Sequence, residues 1–260
     1  MTDQTGTPPA AVPEILALDF DDIRHALRMG WRDFLAEPAY GAFFSLVYVL
    51  GGWLLLFAFT AKGQVWWTLP ASAGFPILGP FIACGFYEIS RRREAGEPMV
   101  LAEVLGVVFR QKDRQIPSMA AVIVVFFLFW NFLSHMIFAL FLGNATLTNI
   151  SSSVSVFLTP EGMTMLAFGT GVGAVFATLL YALTVVSLPM LLDREVDFVT
   201  AMLTSFALVR ENPVVMLGWG AFIAVLLFAG MAVLFLGLLI VLPILGHATW
   251  HLYRRAVVWG

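Results

Sequence analysis

The sequence predicts an all-α, polytopic membrane protein with six transmembrane helices, and three observations carry that expectation. Sixty per cent of the 260 residues are apolar and only 12% are charged, with a mean hydropathy of +0.89. A soluble domain is about half apolar and about a quarter charged, so this chain lacks the charge to coat a water-facing surface. Uncharged stretches are long: 39–61, 63–87, 115–160, 162–192 and 212–253. The basic residues are distributed unevenly between the connections of those stretches.

Each element follows in order. Residues 1–17 hold Pro8, Pro9 and Pro13 and no apolar run of signal-peptide length; they read as a disordered tail before a single membrane domain, 18–260. Leu18–Leu35 reads as an amphipathic helix. Ile23, Leu27, Trp31 and Phe34 form its apolar stripe, with Arg24, Arg28 and Arg32 beside it, and Pro38 ends it. Such a helix suits the headgroup layer of an anionic bilayer, so the three arginines are expected to contact lipid headgroups.

About 20 apolar residues cross the hydrocarbon core, so 39–61 and 63–87 are one span each. The next run divides into a span at 116–142 and a polar Ser/Thr/Asn loop at 143–160, followed by a fourth span at 166–192. As one helix, 212–253 would be about 63 Å long, roughly twice the membrane; it is a hairpin turning near Ala229–Met231. Thirteen of the fourteen basic residues fall on one side of this arrangement and Lys62 alone on the other. The positive-inside rule then places both termini in the cytoplasm.

The pattern repeats. Phe198, Met202, Phe206 and Val209 copy the spacing of the first stripe, with Pro213 in place of Pro38. Leu101, Leu105 and Phe109, followed by Pro117, are a weaker copy. Phe75-Pro76-Ile77-Leu78-Gly79 matches Leu242-Pro243-Ile244-Leu245-Gly246, and Leu188-Pro189-Met190-Leu191 is a partial match. The expectation is three units of an interfacial helix plus a helical hairpin, at 18–96, 97–195 and 196–258. The prolines are expected to kink the second helix of each hairpin.

The stretch Asp-Ile-Arg…Gly-Trp-Arg-Asp-Phe, the segment FPILGPFIACGFYEISRRREAGEP and the closing LPILGHATWHLYRRAV resemble a bacterial integral-membrane family, domain of unknown function 2189. The resemblance covers about 18–258 and implies a membrane protein with no established activity. Some members carry an automatic label of cytochrome c oxidase subunit I. A haem–copper core needs more histidine ligands than the four present, His25, His135, His247 and His251, and His25 lies outside the spans.

Charge and cysteine use exclude other classes. Net charge is −3, with no basic excess for nucleic acid. The lone Cys84 excludes an internal disulfide and a cysteine-built metal site. Gly169-Thr-Gly-Val-Gly173 follows no strand, and Gly169, Gly173 and Ala177 read as a helix-packing face instead of a nucleotide loop. No paired carboxylates and no Ser/His/Asp order occur, so no enzyme, metal or cofactor is expected.

The candidate polar residues within the membrane are Asn131, His135, Tyr181, His247 and His251. His135 is expected to be buried and bonded to Tyr181, Thr184 or Ser187. His247 and His251, one turn apart, could grip a metal, but beside Trp250 and Tyr253 they read as an interfacial belt. Glu88 is expected to pair with Arg91 or Arg92. The functional expectation is a non-enzymatic scaffold, accessory subunit or assembly factor binding membrane proteins, a respiratory complex among them, or lipid. The alternative is a small transporter or channel with a pathway near His135; a third reading is a haem- or quinone-binding accessory of a respiratory complex.

Overall fold

The computed structural model describes residues 13–60, 68–111, 115–143 and 157–259. The chain is helical almost throughout: α1 (Phe20–Ala36), α2 (Pro38–Thr60), α3 (Thr68–Ala95), α4 (Leu101–Gln111), α5 (Ile116–Leu142), α6 (Pro160–Thr184), α7 (Ser187–Asp193), α8 (Phe198–Glu211), α9 (Pro213–Ala232) and α10 (Leu238–Ala256). Two short strands, β1 (Glu14–Ile15) and β2 (Val257–Val258), pair antiparallel. Lys62, Lys112, Arg114 and most of the expected external loop lie outside the described residues.

The chain punctuates its helices with expected chemistry. Asp19 caps α1, accepting from the backbone N–H groups of Asp21 and Asp22, while the Asp22 side chain accepts from Asp19 N–H. Proline stands in the first turn of α5, α6 and α9, where its missing N–H costs nothing. At Pro38 the chain bends by 98° from α1 into α2.

Long helices occupy each segment expected as a span. By length and composition α5, the continuous pair α6–α7 and α9 are apolar enough to cross a membrane. The bent pair Phe20–Ala36 and Pro38–Leu54 raises that number from three to four if it counts as one span, within the described residues. The proline effect differs between helices. α6 and α7 break at Val185–Val186, three residues before Pro189, and Ser205 of α8 accepts a hydrogen bond from the freed Val186 N–H at 3.3 Å. α10 accommodates Pro243 without a break.

Three expectations are corrected. Residues 13–17 are not a free tail: Glu14 and Ile15 pair with Val258 and Val257, Leu16 N–H donates to the Ala256 carbonyl, and Asn212 bonds both Leu18 N–H and the Leu16 carbonyl. The last hairpin turns at 233–237 instead of 229–231. Leu234 and Phe235 take positive φ there. That turn rests on α2, where Trp53 donates to the Leu234 carbonyl at 2.8 Å and Phe235 covers Gly52. The crossing itself needs two glycines, because a Cβ on Gly237 would meet Gly230 Cα at 2.6 Å. Tertiary contact thus chose the turn, and apolar composition carries no sign of it.

The third correction concerns the face of α1. Ile23, Ala26, Gly30 and Asp33 are buried, whereas Phe20, Trp31 and Leu35 are exposed beside Arg24, Arg28 and Arg32. The stripe splits because α1 lies on α10, and the residues that fit that contact are the small ones. α4 likewise packs on α3, and α8 on α6 and α7. α4 and α8 thus pack on the long helix that precedes each in the chain, and α1 packs on α10. The ends of α3, α7 and α10 meet at the centre.

Candidate functional site

The close approach of α1 to α10 places the polar residues. A Cβ at Gly30 would lie 2.6 Å from the backbone nitrogen of Ala248 and 2.8 Å from the Ile244 carbonyl, so only glycine lets the two backbones come this near. One turn further, Asp33 is carried into the gap between α10 and α3 and is 3% exposed. There Asp33 Oδ2 accepts from Ser90 Oγ and from His251 Nε2, both at 2.7 Å, and Oδ1 accepts from Arg93 Nε at 2.8 Å. Ser90 Oγ also lies 2.9 Å from His247 Nδ1. Ser90 and His247 are fully buried, and Phe86 packs edge-on against the His247 ring.

Three donors on one carboxylate decide its charge. Burial works to raise the Asp33 carboxyl, but the bonds from His251, Ser90 and Arg93 more than offset it, and the group lies below its ordinary value of 3.8. Asp22, at the other end of α1, is lowered as well: burial opposes ionisation, and the Asp19 backbone and Arg255 outweigh it. Arg255 Nε donates to Asp22 at 2.6 Å. Both carboxylates of the buried face of α1 are therefore tied to α10.

Two further ion-pair groups extend this layer. Glu88 is buried and accepts from Arg91 (2.8 and 3.0 Å) and from Arg92 (2.8 Å), as its spacing predicts. Arg91 continues to Glu97, and Arg92 to Glu103 and the Pro98 carbonyl, which fixes α4 to α3. Arg254 joins Glu94 and Asp193, while Trp250 and Tyr253 donate to the same two carboxylates.

The sequence-derived candidates separate in space. His247 and His251 are core residues, as are Trp250 and Tyr253, so the interfacial-belt reading is corrected. The reason is α1, which covers that end of α10. His135 is exposed on α5 and bonds through Nδ1 to the Asn131 carbonyl at 2.7 Å. The buried residue nearest to it on α5, Ile137, lies two positions on and so about 200° away around the helix, and His135 faces away from that contact. Asn131 bonds back to the Phe127 carbonyl, and Thr184 and Ser187 to carbonyls of their own helical segment. Tyr181 instead donates to the Met216 carbonyl of α9 at 2.6 Å. Arg24 pairs with Asp21, and both are exposed.

Asp33, Ser90 and Arg93 were not singled out by their sequence context. They come from positions 57 to 218 residues distant from their partners. The one local signal is the small-residue ladder Ala26, Gly30, whose continuation at Asp33 marks a face built for close packing.

The chemistry open to this set follows from donor accounting. The Ser90 proton goes to the Asp33 carboxylate, so the hydroxyl is an acceptor toward His247 and is not activated by it as a nucleophile. No group of three or more His, Cys, Asp or Glu among the described residues is placed to hold a metal ion. Two apolar grooves, of about 270 and 300 Å³, lie between α5 and α6 and share Trp130 and Gly173. Gly173 faces the Trp130 ring, and Gly169 faces Ile137, so these members of the glycine stripe serve the contact between α5 and α6.

Residues 68–193 match the family model described as predicted integral membrane protein (DUF2189). No curated protein and no solved structure matches the chain.

Proposed function

We propose that this integral membrane protein is a non-enzymatic scaffold or assembly factor of the bacterial inner membrane, offering its outer surface to lipid and to other membrane proteins. The observation that carries this reading is the division of its side chains. Buried charges such as Asp33, Glu88 and Arg92 are engaged with partners inside the protein. The exposed faces of α1 and α8 instead combine large apolar groups, Phe20, Trp31 and Leu35 or Leu203 and Phe206, with arginine. Arg24, Arg28 and Arg32 with Trp31 suit a surface of anionic headgroups on the cytoplasmic side, where each basic residue adds about 1 kcal/mol. The transport pathway near His135 draws no support from a residue that faces away from the bundle.

Purification of the full chain from native membranes in mild detergent tests the proposal. The expected result is a membrane protein recovered in fixed ratio with it, and loss of that partner when Leu203 and Phe206 are replaced by serine. A protein recovered alone, together with substrate flux in reconstituted vesicles, would replace the scaffold by a transporter.

A further inference from the structure

Proton positions in the buried cluster can be assigned from the bonds alone. An ionised carboxylate only accepts, so Ser90 gives its single hydroxyl proton to Asp33. The contact between Ser90 Oγ and His247 Nδ1 then needs its proton from the histidine. Neutral His247 is thereby held as its Nδ1–H tautomer, and Nε2 carries a bare lone pair. That atom is fully buried and has no hydrogen-bond partner among the described residues. A buried acceptor without a donor costs about 1–3 kcal/mol and calls for an explanation.

We propose that His247 Nε2 is a proton-accepting site and that Ser90 relays its proton to Asp33. In the transfer, a proton binds Nε2, the Nδ1 proton passes to Ser90 Oγ, and the original Ser90 proton passes to Asp33 Oδ2. The end state is a neutral Nε2–H histidine and a neutral carboxylic acid; one positive charge has moved from the ring to the carboxylate, and no other bond changes. The charged and titratable groups around the path are Asp33 from α1, Arg93 from α3 and His251 from α10, with Asp22, His25 and Arg255 beyond His251. Arg93 holds the far carboxylate oxygen, Oδ1, and leaves Oδ2 to take the relayed proton.

The test uses the full chain in lipid nanodiscs with nitrogen-15 histidine. Magic-angle NMR at neutral pH is expected to show His247, assigned by the signal lost in His247→Gln, protonated at Nδ1 and bare at Nε2. On acidification, infrared difference spectra are expected to show a protonated-carboxyl band that Asp33→Asn removes. Ser90→Ala is expected to uncouple that band from the appearance of Nε2–H on His247, and Ser90→Thr, which keeps the hydroxyl, to restore the coupling. An Nε2–H tautomer or an imidazolium at neutral pH overturns the proposal. So does an Asp33 band that follows His247 equally in the wild type and in Ser90→Ala. The wild-type tautomer decides the matter even if Ser90→Ala fails to fold.

Discussion

Asp33 ties α1 to both α3 and α10. It joins three helices through charge-assisted bonds, each of which contributes about 1.5–3 kcal/mol when one partner is ionised. Asp33→Asn removes the charge while leaving Arg93 half-buried opposite it. The expected loss is about 3 kcal/mol, read as a lower thermal midpoint in detergent. Its pH dependence has a defined sign. The folded carboxyl lies below its ordinary value of 3.8, so its stabilisation is complete above that value and is lost as pH falls through the lower folded value. Wild type is therefore expected to lose stability in acid more steeply than Asp33→Asn; parallel curves would contradict the assignment. His135 is the control. Its side chain bonds to its own helix, and His135→Leu is expected to change stability by less than about 0.5 kcal/mol, whereas His247→Leu is expected to be clearly destabilising.

At the scale of the element, α1 shows what sequence periodicity conveys and what it omits. The helix and its end before Pro38 were legible, because proline acts locally, whereas the Asp19 cap was not singled out. The buried face was not. Hydrophobic spacing favoured Ile23, Leu27, Trp31 and Phe34, but in a membrane an apolar side chain is equally at home against lipid, so hydropathy loses its power to tell inside from outside. Close packing then selects small residues, and Gly30 outweighs Trp31. Gly30→Ala places a methyl against the α10 backbone, which cannot move aside as a side chain can. The expected cost is about 1–3 kcal/mol, with faster protease cleavage near residues 13–20 as α1 and β1 come loose. An unchanged cleavage rate would show that α1 does not depend on this contact. The pairing of Glu88 with Arg91 and Arg92 was legible for the opposite reason, since it lies within one helical turn.

For the whole molecule, composition and charge spacing sufficed to read an integral membrane helix bundle. The candidate site was not legible, because its members come from opposite ends of the chain: Asp33 near the start, Ser90 after the first hairpin, His247 and His251 near the end. The same closure joins the termini. β1 and β2 are hydrogen-bonded to each other, which puts residues 14–15 and 257–258 on one side of any bilayer and requires an even number of crossings. The basic asymmetry predicts that this side is the cytoplasm. Reporter fusions after Val258 and at Ser152 test this account most directly. A cytoplasmic signal at Val258 and an external one at Ser152 are the expected result; a cytoplasmic signal at Ser152, or an external one at Val258, would contradict the six-span bundle closed by its own ends.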